Sequence, residues 1–171
     1  MSDRQRQIAA PVGLVVGAVF GVAGSFVSSA SLRGLFWGID GVALIVAAAL
    51  LTIYHFRRGN DLVAAGFLVF VTGETLILVT ASADLVGSGP VFGAGVALWS
   101  ASLILISIPK VMPAWVRVVA GIAALLFLVV AVRLFMGGEL TPLSEPLPFY
   151  GYPFLAVTLF GWAWAHFRAA A

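Results

Sequence analysis

The chain has 171 residues, 62% of them hydrophobic and 9% charged, with a mean hydropathy of +1.12, against the roughly 45–50% apolar and about 25% charged residues of soluble domains. A chain this short has too little interior to bury that much apolar surface in water, so the composition excludes a water-soluble globule and predicts a membrane protein. It contains no cysteine, which excludes disulfides, thiolate metal sites and cysteine nucleophiles, and its formal net charge of +2 is informative only through where the basic residues fall.

A spanning helix takes about 20 mostly apolar residues, with a range of about 17–25. The first such run, Ile8–Val27, follows the polar opening MSDRQRQ. It imitates a secretory signal ending at Ser28-Ser29-Ala30, but it exceeds the roughly 7–15 apolar residues of a signal core, so an uncleaved span is expected. Within and just beyond it Ala9, Gly13, Gly17, Gly21, Ser25 and Ser29 recur every four residues. Residues four apart share one helix face, and a face without side-chain bulk lets another helix approach closely, gaining dispersion contacts where lipid supplies no hydrophobic drive. The stripe predicts a helix-packing face, met by another helix of the same chain or by a second copy.

The second run, Leu35–Phe56, carries Asp40 and ends at His55 before the breaker Arg57-Arg58-Gly59-Asn60. The third, Leu62–Ala83, contains FLVFVTGETLILV, in which Glu74 is the single carboxylic acid, flanked by Thr72 and Thr75. Gly87-Ser88-Gly89-Pro90 reads as a connector into the fourth run, Val91–Ile108, and Pro109 to Pro113 as a connector into the fifth, Trp115–Met136, which holds Arg133 near its end. Gly137 to Pro153 reads as the longest loop, its prolines extended and Phe149, Tyr150 and Tyr152 at headgroup level. The sixth run, Phe149–Phe167, carries His166.

These runs predict an all-α, polytopic membrane protein: one domain, a bundle of six transmembrane helices. If the amino terminus is cytoplasmic, that side receives Arg4, Arg6, Arg57, Arg58, Lys110, Arg117 and Arg168, while the other receives Arg33 and Arg133, so both termini are expected in the cytoplasm. Trp37 would then mark the outer edge, and Trp115, Trp162 and Trp164 the inner one. Eight arginines against one lysine, with abundant alanine, valine and glycine, suggest a bacterial inner membrane. Offsetting the chain by 79 residues lays Pro11 on Pro90, Ser28 on Ser107, Phe36 on Trp115 and Gly59 on Gly138. This is a weak signal of a 3+3 internal repeat, whose odd helix count would invert the second half.

At 1.5 Å rise per residue, Asp40, Glu74 and Arg133 enter the outer half of the membrane to depths of roughly 7, 12 and 5 Å. An intramembrane polar cluster of Asp40, Glu74 and Arg133 is therefore expected, since arginine's long stem lets its head range along the membrane normal. It either fixes helix packing, lines a cavity for protons or cations, or supplies a catalytic carboxylate. Catalysis is disfavoured because no histidine, cysteine or second carboxylate accompanies Glu74 within a few residues on its helix. His55 and His166 fall at inner helix ends, where two histidines at one depth can ligate haem or a metal ion, yet nothing in their spacing imposes it. They read instead as interfacial residues, and no cofactor or metal is expected. The leading expectation is a non-catalytic structural or accessory component, not an enzyme. Its partners would be the lipid bilayer and copies of itself or a larger membrane complex, not nucleic acid. The alternative is a small solute, ion or proton-coupled transporter or channel using Glu74, Asp40 and Arg133.

Overall fold

The computed structural model describes the backbone of residues 3–80, 85–138 and 146–170, with side chains for residues 8–80, 88–138 and 151–169. It is all-helical: α1 (Asp3–Gly24), α2 (Ala30–Phe56), α3 (Asp61–Thr80), α4 (Leu85–Ser107), α5 (Ala114–Phe135) and α6 (Pro146–Ala170). Four stretches are long and apolar enough to cross a membrane, Ala30–Phe56, Asp61–Thr80, Ser88–Ser107 and Ala114–Phe135, with Ile8–Gly24 a shorter apolar helix.

The helix ends follow local chemistry. Ser29 caps α2, its hydroxyl accepting from the Leu32 N–H at 3.4 Å, so the Ser-Ser-Ala-Ser connector ends as a cap and α2 starts five residues before the expected Leu35. Gly59 and Gly137 follow α2 and α5 with φ of 70° and 86°, a left-handed conformation that glycine adopts without a Cβ penalty. Gly87 to Pro90, expected as a connector, lies inside α4. Pro90 is near enough to the helix start that its missing N–H removes one bond from the end of the ladder. The expected loop from Gly137 to Pro153 is helical from Pro146 onward, and residues 139–145 of it lie outside the described residues.

Successive helices run antiparallel. Gly13, Gly17, Gly21 and Gly24 of α1 meet Ala47, Leu44, Asp40 and Trp37 of α2 in descending order. The same reversal joins α3 to α4 through Gly66–Ile106 and Gly73–Gly95, and α5 to α6 through Phe127–Gly151 and Val116–Gly161. Each helix lies against its neighbours in sequence, and α6 closes on α1, so the six form a ring. We call the end where α1, α3 and α5 begin the base.

Aromatic rings fill the interior. His55 stacks on Phe67, which meets Trp162 edge-on at 5.0 Å; Trp162 meets Phe70, and Phe70 stacks on Trp99. Trp99, Phe127 and Tyr152 then contact one another. Contacts of this kind stabilise by about 0.5–1.5 kcal/mol each beyond area burial. Two expectations are corrected here. Trp162 is a core residue and not an interfacial one, and Tyr152 turns inward from α6 instead of floating at headgroup level, because helix continues through Pro153 and gives these rings a face toward the ring interior. The outer surface is correspondingly apolar, with Val12, Val19, Leu35, Val42, Val46, Leu68, Val118 and Leu125 all exposed. A surface this apolar is stable against lipid and not against water.

Candidate functional site

Two groups of buried polar side chains lie inside the ring at different heights. The upper one centres on Glu74. Gly73 and Gly95 strip the α3–α4 crossing of bulk, to the point that a Cβ on Gly73 would stand 3.0 Å from the Gly95 carbonyl oxygen. This approach sets Trp99 of α4 beside Glu74, the residue after Gly73. Both are buried, at 3% and 2% exposure. The Trp99 indole stands by the carboxyl without reaching hydrogen-bond geometry, leaving Glu74 Oε2 and Trp99 Nε1 as buried polar atoms without a partner. Buried groups of this kind are rare in folded proteins and call for an explanation.

The group whose charge acts on Glu74 is Asp40 of α2. Room for the Asp40 carboxyl is made by α1: a Cβ on Gly21 would lie 2.7 Å from Asp40 Oδ2, and one on Gly17 3.2 Å from Oδ1. Four helices thus converge on two carboxyl groups and one indole. Thr72 and Thr75 do not join them, because their hydroxyls donate to their own helix, at 3.2 Å to the Leu68 carbonyl and 2.8 Å to the Val71 carbonyl.

Arg133 does not belong to this cluster. It is exposed on α5, lining an open groove with Leu128, Val132 and Gly138, and α5 touches α4 and α6 but neither α2 nor α3. A shared place in the outer half of the membrane suggested that the three residues meet; the order of helices around the ring separates Arg133 from the other two.

The small-residue stripe of α1 divides as well. Gly13, Gly17 and Gly21 face α2, where a Cβ on Gly13 would lie 2.9 Å from Ala47 Cβ and one on Gly17 2.4 Å from Leu44 Cδ2. Ala9, Ser25 and Ser29 are exposed. Helix α1 ends at Gly24, so Ser25 and Ser29 leave the helical register; Ser25 instead bonds the Gly21 carbonyl and Ser29 caps α2. The glycine face is therefore occupied within the chain and is not free for a second copy.

The lower group is the histidine pair. His55 of α2 and His166 of α6 are buried, at 2% and 7% exposure, with their Nε2 atoms 3.0 Å apart across the ring. The expectation of interfacial histidines is corrected: Phe67 and Tyr54 cover the pair on both sides. The geometry also orders the protons. A backbone carbonyl can only accept, so His166 Nδ1, 2.6 Å from the Trp162 oxygen, carries hydrogen. In a neutral pair His166 Nε2 is then the acceptor and His55 Nε2 the donor, which leaves His55 Nδ1 a bare lone pair, buried without a partner. Among the described residues no group of three or more metal-ligating side chains occurs.

Sequence reasoning missed Trp99 and the meeting of the histidines. Trp99 had a legible signal, being the tryptophan placed mid-run, away from either predicted interface. The histidine contact had none beyond shared depth, since it requires knowing that α2 and α6 face each other across the interior.

Comparison with protein-family models, with curated proteins and with solved structures gives no match.

Proposed function

We propose that this chain is a proton-coupled transporter or channel of small size, embedded in a bacterial cytoplasmic membrane, with Asp40 and Glu74 as its proton-binding pair. The observation that carries this reading is a buried carboxyl, Glu74, acted on by the half-buried Asp40 carboxyl of the adjacent helix, with no basic side chain among the described groups that act on Glu74. Such a pair is a poor structural device. A buried ion pair already returns little stability, and two like groups without a base return less. It is a good device for holding a positive charge in an apolar interior, since proton relays in membrane proteins are built from acids and histidines that face the bundle interior. The aromatic side chains beneath it give an occluded arrangement, in which passage requires Phe67 or Phe70 to move.

The accessory-component reading loses its main contact surface, because the α1 glycines are covered by α2. On the transporter reading the chain crosses the membrane six times, with the base in the cytoplasm. Arg57, Arg58, Lys110, Arg117 and Arg168 near the base support that orientation, against Arg33 and Arg133 near the opposite end. The protein makes and breaks no covalent bonds of its own other than those to protons, and its partner is the lipid bilayer.

The test is proton flux in proteoliposomes under an imposed potential, read with an internal pH dye. Wild type acidifies the lumen, and Glu74→Gln abolishes flux while melting at the same or a higher temperature. Unchanged flux in Glu74→Gln contradicts the proposal.

A further inference from the structure

Resting on the preceding reading, we infer that His55 and His166 form the base-side proton-receiving site of the same pathway, with Nδ1 of His55 as the atom that takes the proton. The first observation is the orphan itself: a bare, buried nitrogen with no hydrogen-bond partner, on a ring otherwise fixed by stacking on Phe67 at 5.5 Å. The second is the Nε2···Nε2 contact of 3.0 Å, through which a positive charge arriving on His55 is shared with His166. The third is position. The aromatic series from His55 through Phe67, Trp162 and Phe70 ends at Trp99, the residue beside Glu74. From Phe67 to Glu74 is seven residues of α3, roughly 10 Å along the axis, so the two polar groups occupy opposite ends of one packed plug.

The step is a simple proton transfer. One N–H bond forms at His55 Nδ1, and the O–H bond of the water or carboxyl that supplied the proton breaks. The electron pair of that O–H bond stays on the oxygen. The resulting imidazolium is held by Phe67 against its face and by the His166 Nε2 lone pair, both of which favour a cation. Among the described residues, the titratable and charged groups around the pair are few. Tyr54 lies edge-on to both rings, and Arg58, whose guanidinium sits over the Tyr54 ring at 4.1 Å and bonds its hydroxyl, acts on both histidines through its charge. Apolar buried residues stand on the flanking helices: Ala10 and Leu14 on the described part of α1, Val63 and Phe67 on α3, Val116 and Ala120 on α5. Arg117 is turned away to the Ser107 carbonyl at 2.5 Å.

Two measurements test this and separate its failure from that of the acid pair. In proteoliposomes His55→Gln and His166→Gln each lower proton flux at least tenfold, and added imidazole restores part of it, while carbodiimide labelling of Glu74 stays at the wild-type level. In nitrogen NMR of ring-labelled wild type, the two imidazoles take up one proton as a unit, and His55→Gln leaves His166 with an altered titration. Wild-type flux in both histidine variants overturns the inference even where Glu74→Gln abolishes flux. Two imidazoles that titrate independently of each other also overturn it. A Glu74→Gln variant that conducts normally removes the acid-pair reading instead.

Discussion

Glu74 is where the physics of single residues is most exposed. A carboxyl group with an unpartnered oxygen is a cost to folding in an apolar interior, so removing its ionisable character should spare the fold and remove the function. Glu74→Gln and Asp40→Asn are each expected to retain or raise the melting temperature in detergent. Carbodiimide, which attacks a protonated carboxyl in apolar surroundings, is expected to label Glu74 in wild type and in Arg133→Ala but not in Glu74→Gln, read by peptide mass spectrometry. Arg133→Ala should shift stability by no more than about 0.5 kcal/mol, because an exposed side chain without buried partners contributes little. Asp40 and Glu74 were legible in the sequence because charge in an apolar run stands out at once. Their company was not. Depth along a helix can be counted from the sequence, but azimuth around a ring cannot, and that is why Arg133 was expected beside Glu74 and Trp99 was not.

At the level of helices, close approach is set by glycine. The α1–α2 seam runs through Gly13, Gly17 and Gly21, where added bulk meets Ala47, Leu44 and Asp40. Gly17→Leu forces α1 away from Leu44 and should destabilise by about 1–3 kcal/mol as overpacked contacts do, read as a lower thermal midpoint with no change in oligomer size. A change of size would mean that a second copy, and not α2, uses that face. Within the aromatic series Phe70 touches both Trp99 and Trp162. Phe70→Ala should cost about 3–5 kcal/mol and raise basal proton leak, since it removes the ring standing between the two polar groups. The glycine spacing was readable because period four is a helix property. The inward turn of Tyr152 and Trp162 was not, because aromatic residues near a predicted helix end serve an interface or a core equally well, and only the neighbours decide.

For the molecule as a whole, the helical runs and their order were readable from hydropathy, while the extensions of α2, α4 and α6 depended on a serine cap and on helices that run through Pro90 and Pro153. Closure of α6 onto α1 was not readable, and it is closure that creates an interior at all. The absence of native cysteine makes orientation directly measurable. Single cysteines at Asn60 and Lys110 should be protected from an impermeant maleimide in intact cells, and one at Gly137 should be labelled. The most direct test of the central claim remains proton flux into proteoliposomes carrying wild type, Glu74→Gln or Arg133→Ala. The account predicts equal flux for wild type and Arg133→Ala and none for Glu74→Gln. Equal flux in all three would contradict it.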